Sequence, residues 1–373
     1  MESLKAYPAR KRIFWAAMPF IALAMAVVSL SMGDSIKSIP GMQGVWLVAE
    51  MAVLIAAVFV SVHHADVIAH RTGEPFGTLV LTVAVTVIEV SLILSVMLSG
   101  ADDTAGLVRD TVFSVIMIVC NGIVGICLIV GGLRYGEQGF RLPGANAYLV
   151  VLMPLATLTL VLPNYTTSAV GPYYSGLQLG FVSVVTLILY GVFLYVQTVR
   201  HREYFLSDAG DVDMPEDEVR PSNRKVWTSA VLLIVALAGI VLLAKSFSGS
   251  VKSTVVALGA PPNAMGLLVA LLVLLPESLA AVKSARHNEL QKSLNLALGS
   301  TLATIGLTIP AVGELTILLG QPLELGLSKS DTLLLVLTFA VSLVTFGGGR
   351  TNILPGFVHL LMFAVFVFLV FAP

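Results

Sequence analysis

Charge is scarce in this sequence. Only 12% of its residues are Asp, Glu, Lys or Arg, while 57% are hydrophobic; a soluble domain ordinarily carries about 25% charged residues. No water-soluble packing buries that much apolar side chain, so the solvent for this chain is lipid. An excess of one charge sign is missing too. The formal net charge is −1, which gives no reason to expect a nucleic-acid partner. Cysteine is nearly absent. Cys120 and Cys127 stand alone, roughly 10 Å apart along one helix, too far to bridge each other. A disulfide between them is excluded, and the redox compartment stays open. Long hydrophilic runs are missing as well. The one real stretch, about 200–225, is acidic, with Asp208, Asp211, Asp213, Glu216, Asp217 and Glu218. It leaves no room for a soluble domain.

What the sequence has in abundance is apolar runs. A spanning helix needs about 20 mostly apolar residues, and that rule predicts eleven spans: 13–32, 44–63, 78–99, 110–132, 147–163, 177–199, 226–246, 264–284, 294–319, 332–348 and 352–371. The basic start, Lys5, Arg10, Lys11 and Arg12, followed by the run from Ile13, resembles a signal peptide at first sight. The run is too long for an h-region, and no small-residue cleavage pattern follows, so it reads as a retained helix. Lys and Arg concentrate on the cytoplasmic side of membrane proteins. With the N-terminus inside, only Lys37, Arg109, Lys245, Lys252 and Lys329 of the 21 basic residues fall outside. The predicted topology is N-terminus cytoplasmic, C-terminus outside, with the acidic loop in the cytoplasm.

This arrangement divides the chain into an extra N-terminal helix (1–43), five spans (44–200), the acidic loop (201–225) and five more spans (226–373). A repeat with an odd number of spans inverts its second copy. The predicted fold is thus an all-α polytopic membrane protein with two inverted five-helix repeats, an architecture that places substrate sites near the midplane.

Charged residues within spans are costly, roughly 2.5–3.5 kcal/mol or more at the bilayer centre, and two carboxylates pay that cost here. Glu89 sits midway along the third span and Glu277 midway along the eighth, which are corresponding helices of the two repeats. The plainer reading is a lone protonated carboxyl hydrogen-bonded in a bundle core, but symmetric placement argues against it. Thr82, Thr86 and Glu89 share one helix face by their i, i+4, i+7 spacing. Asp110, Ser114 and Asn121 form a similar stripe on the fourth span, and Ser300, Thr304 and Thr308 on the ninth. Hydroxyls, amides and carboxylates are the oxygen ligands that hard cations prefer, although such side chains also simply join helices. Pro276, just before Glu277, cannot donate to the Leu272 carbonyl, a break tolerated at membrane depth where it lines a cavity. The third span has no matching proline.

The segment His64-Ala-Asp-Val-Ile-Ala-His-Arg-Thr-Gly-Glu-Pro-Phe-Gly-Thr-Leu-Val, continuing to Ile88-Glu89-Val-Ser-Leu-Ile, resembles the first α-repeat of the calcium/cation exchanger superfamily. Leu275-Pro276-Glu277 with Asn295-Leu-Ala-Leu-Gly-Ser-Thr-Leu-Ala-Thr-Ile-Gly-Leu-Thr-Ile-Pro310 resembles the second. The bacterial ChaA-type antiporters look like the nearest branch, and the likeness spans essentially the whole chain. It implies eleven helices, a bacterial inner-membrane location and exchange of Na⁺, K⁺ or Ca²⁺ for H⁺, with the repeat glutamates falling on Glu89 and Glu277. Proton-coupled calcium exchangers usually carry Gly-Asn ahead of each repeat glutamate. Here Val85-Thr86 and Val273-Leu274 stand there. Two amides fewer thin the oxygen shell for Ca²⁺, which takes six to eight oxygens, so monovalent ions stay in play.

The expected cation- and proton-binding set is Glu89, Glu277, Thr86, Ser114, Ser300 and Thr304, with Glu89 and Glu277 as the metal ligands. Glu74, on position and resemblance, and Asp110 are expected proton relays. The expected partners are transported cations, protons and lipid, with no cofactor; homo-oligomerisation is left open. Asp102-Asp103 with Asp110 is faintly similar to the aspartate-rich sites of membrane prenyltransferases, but no second cluster exists and an enzyme is not expected. His63, His64, Asp66 and His70 could bind metal or sense pH, or be a solvated helix end. Glu50 and Glu314, near helix ends, are expected to be wet. A cation channel is the competing transport class, but no filter sequence is visible.

Overall fold

A computed structural model describes residues 9–39, 41–72, 76–97, 105–206, 221–257, 261 and 263–372. The chain is helical almost throughout: α1 (Ala9–Lys37), α2 (Met42–Thr72), α3 (Phe76–Met97), α4 (Leu107–Tyr135), α5 (Leu142–Tyr165), α6 (Gly176–Arg200), α7 (Asn223–Ala257), α8 (Asn263–Arg286), α9 (Leu290–Leu319), α10 (Lys329–Phe346) and α11 (Ile353–Phe371). Among the described residues, 10 helices are long and apolar enough to cross a membrane, and the qualifying stretch of α3, Thr82–Ser95, is shorter. The chain is an all-α polytopic membrane protein. Two two-residue strands, β1 (Gln138–Gly139) and β2 (Arg350–Thr351), pair antiparallel and tie the end of α4 to the start of α11.

Local sequence explains where several helices start and stop. Ser175 opens α6 with a capping box closed by Gln178, satisfying two end N–H groups at once. Ser328 accepts from the Asp331 N–H at the head of α10, and Asn352 from the Leu354 N–H at the head of α11. Gly320 ends α9 in the left-handed conformation, which glycine adopts without a Cβ penalty. Among the described residues four helices contain a π turn: Ile118–Ile123 in α4, Thr157–Val161 in α5, Val196–Arg200 in α6 and Thr304–Thr308 in α9. Each inserts an i→i+5 step that an apolar ladder alone does not require, and such turns recur at functional sites.

The helices form two compact units. In the first, α1, α2, α3 and α7 pack on one another, with Ala65, Ala84 and Leu233 at a shared contact. Gly239 of α7 lies so close to Ala22 and Leu23 of α1 that a Cβ there would stand 3.0–3.2 Å from them. In the second unit, α4 is the central helix, with 89% of its apolar window buried. Small residues bring its neighbours in. A Cβ on Gly266 of α8 would meet Asp110 and Thr111 of α4 at 2.7–2.8 Å. On the other side of the unit, a Cβ added to Gly125 of α4 or to Gly356 of α11 would stand 3.0 Å from the other's carbonyl oxygen. Close backbone approach through glycine is the usual basis of helix association in lipid.

Candidate functional site

Of the residues singled out in the sequence, Glu89 and Thr86 belong to the first unit, and Glu277, Ser114, Ser300 and Thr304 to the second. Glu89 lies within α3, only 1% exposed, between Ile88 and the buried pair Leu92 and Ile93. Thr82 and Thr86 are half-buried on the same helix. Glu74 and the acidic loop from Asp208 to Glu218 lie outside the described residues, as do Asp102 and Asp103.

In the second unit, α4, α8 and α9 pack mutually and carry the remaining candidates. Glu277 is half-buried on α8. The helix runs unbroken through Pro276, whose missing N–H still leaves the Leu272 carbonyl without its intrahelical donor. Ser114 on α4 and Thr304 on α9 are buried, at 2% and 3% exposure, and Ser300 is half-buried. Thr304 and Thr308 both fall in the π turn of α9.

The fourth-span stripe does not survive as drawn. Its expected regularity assumes an unbroken α-helix, whereas Asn121 lies in the π turn of α4 and turns toward α10 and α11. Its Nδ2 donates to Thr338 Oγ1 at 2.9 Å, and its Oδ1 lies 3.0 Å from His359 Nδ1. Asp110 is held otherwise again. Its Oδ1 accepts from Arg109 Nε at 2.8 Å, and the same guanidinium bonds Glu324.

One further expectation is overturned. Glu50 is not a wet residue: it has 0% exposure and accepts from Trp46 Nε1 at 3.1 Å and Ser246 Oγ at 2.6 Å. Glu314, in contrast, is exposed. The histidine group is not a ligand cluster, and among the described residues no three His, Cys, Asp or Glu side chains converge to hold a metal. His63 stacks on Trp15 at 4.2 Å, His64 meets the Trp15 carbonyl at 3.1 Å, and His70 faces Asp66 at 3.6 Å on an exposed face.

Sequence reasoning misses His359. It is wholly buried on α11, with Asn121 on one ring nitrogen and Thr345 Oγ1, at 3.0 Å, on the other. The signal was present: an ionisable ring inside the last apolar run deserves the attention given to deep carboxylates.

The chain matches the family described as sodium/calcium exchanger protein over residues 42–199 and 228–372. It is 37% identical over 351 residues to the sodium-potassium/proton antiporter ChaA of Escherichia coli, covering 93% of this chain and 94% of that protein. It is 46% identical over 356 residues to the y4hA protein of Sinorhizobium fredii, covering 95% of both. Among solved structures, native YfkE superposes with a TM-score of 0.72 at 17% identity, covering 95% of this chain and 100% of that one. The H⁺/Ca²⁺ exchanger CAX superposes with a TM-score of 0.65 at 14% identity, covering 95% and 89%. At such identities these two establish a shared fold.

Proposed function

From a chain that belongs to the sodium/calcium exchanger family, we propose a secondary-active antiporter that exchanges a cation for protons, with Glu89 and Glu277 as the carboxylates both compete for. The observation that carries this reading is Glu89, a carboxylate at 1% exposure in the interior of an apolar helix, matched in the sequence by Glu277 at the corresponding place in the second half. The reading includes eleven spans in two inverted five-helix repeats, a cytoplasmic N-terminus and a two-glutamate site near the bilayer midplane.

Burial disfavours a carboxylate's charged form, and a second carboxylate nearby disfavours it further. A bound cation reverses both effects. Cation and proton therefore exclude each other by charge, and rocking one group of helices against another exposes the site to each side in turn. Thr86, Ser114, Ser300 and Thr304 supply neutral oxygens. The Thr86 and Leu274 positions, where amides would stand in calcium-selective relatives, favour Na⁺ or K⁺ in competition with Ca²⁺, in keeping with the sodium-potassium/proton exchange named for the Escherichia coli relative. Reconstituted protein under an imposed pH gradient tests this. Glu89→Gln and Glu277→Gln, each folded and inserted, are expected to abolish cation-driven proton flux, and near-normal flux in either would sink the assignment.

A further inference from the structure

Asn121 places an amide midway along α4, on a π turn, in the same helix as Ser114. An amide oxygen there is the kind of neutral ligand that a cation site draws on. In this protein that oxygen is already engaged. Asn121 Nδ2 lies 2.9 Å from Thr338 Oγ1 and 3.6 Å from Met117 Sδ. Sulfur is an acceptor here, so the NH₂ group belongs on that side and the carbonyl oxygen faces His359. A carbonyl only accepts, so His359 Nδ1, 3.0 Å away, carries the hydrogen. In a neutral ring Nε2 is then an acceptor, a role that the Thr345 hydroxyl, with its Oγ1 3.0 Å away, fits as donor. Thr338 Oγ1 in turn donates to Met117 Sδ at 3.5 Å. One set of hydrogens thus satisfies the chain from Thr345 to Met117 with no charge on any member.

The backbone makes this possible. Gly125 and Gly356 bring α4 and α11 into contact, one turn from Asn121 and one turn from His359 respectively, so the ring spans the gap between the helices. Met117, Asn121, Thr338 and His359 are all buried.

We propose that His359 is a specificity-determining positioning residue: by holding the side-chain carbonyl of Asn121 it withdraws an amide oxygen from the ligands α4 can offer a cation, and so biases exchange away from Ca²⁺. Ca²⁺ needs more oxygens than Na⁺ or K⁺ and suffers most from the loss. This rests on the antiport reading above and adds the residue that tunes its selectivity.

The test compares initial exchange rates for Ca²⁺ and K⁺ across a range of concentrations in proteoliposomes. His359→Leu removes the donor and is expected to raise the Ca²⁺-to-K⁺ ratio of kcat/KM about fivefold, the scale of one net hydrogen bond. His359→Gln, which still offers an N–H to Asn121, keeps the parental ratio. In an Asn121→Leu background, His359→Leu no longer shifts it. An unchanged ratio in inserted His359→Leu protein, or the same shift without Asn121, overturns the proposal. A purely structural role would lower both cations' rates together. Nitrogen NMR of histidine-labelled parent protein, assigned by difference from His359→Gln, gives a readout that needs no fold-sensitive variant. A neutral His359 ring with hydrogen on Nδ1 is expected, and hydrogen on Nε2 alone refutes the geometry. Absence of any cation-driven proton flux in the parent would instead defeat the antiport reading, and the NMR result separates that failure from this one.

Discussion

Removing Glu50 tests whether a third deep carboxylate is structural. It lies on α2 with 0% exposure, and its Oε1 accepts from Trp46 Nε1 on its own helix and from Ser246 Oγ on α7. Replacing it with leucine removes the acceptor and leaves both donors to find other partners. A buried donor left unsatisfied costs about 1–3 kcal/mol. Trp46 and Ser246 are themselves half-buried, so the lower end applies and Glu50→Leu should lose about 1–2 kcal/mol. Glu50→Gln keeps a carbonyl oxygen in the same place and should lose about 1 kcal/mol or less. Thermal denaturation in detergent, followed by tryptophan fluorescence, reads the difference. The leucine variant should unfold about 3 °C below the parent, with glutamine close to the parent. Leucine and glutamine variants equally destabilised would mean that charge rather than hydrogen bonding is what α2 and α7 share. A leucine variant as stable as the parent would mean that the contact holds nothing.

Other outcomes follow from the same reasoning. Thr86→Asn with Leu274→Asn should shift preference toward Ca²⁺, since each adds an amide oxygen, and rates for Ca²⁺ and K⁺ at fixed pH would show it; an unchanged ratio would detach these positions from selectivity. Gly125→Val pushes a side chain into the Gly356 carbonyl and the Leu360 backbone N–H, both already 3.0 Å from a Cβ. It should cost about 1–3 kcal/mol and abolish the selectivity effect of His359→Leu. A cysteine near Asp211 should label only from the cytoplasm and one at the C-terminus only from outside, and opposite accessibility at either would overturn the eleven-span topology.

Much of the fold was legible because lipid imposes a harsh rule. Every spanning segment must be long, apolar and internally hydrogen-bonded, so the apolar run 264–284 became Asn263–Arg286 and 352–371 became Ile353–Phe371. Helix lengths were less legible. α2 continues through Thr72 and α7 through Ala257, because polar residues extend a helix once the apolar part has nucleated it. The π turns left no local mark, since Ile118–Ile123 and Thr304–Thr308 read as ordinary helix. That is why the stripe through Asn121 was drawn too straight. Glu50 looked wet because its partner Ser246 comes from a helix 196 positions away in sequence, and no periodicity reports such a meeting. The burial of Glu89 was legible through cost alone, since nothing but function or a dedicated partner keeps a carboxylate in an apolar helix; Glu277 is only half-buried.

The central claim is that one pair of carboxylates serves both cation and proton. Its most direct test is apparent cation affinity in proteoliposomes at two pH values, measured with an outward proton gradient able to drive uptake. Protonation removes the charge that binds the cation, so affinity should fall as pH drops. The gradient should also drive net cation uptake against the cation's own gradient. Affinity independent of pH, with flux that only ever runs down the cation gradient, would contradict the account.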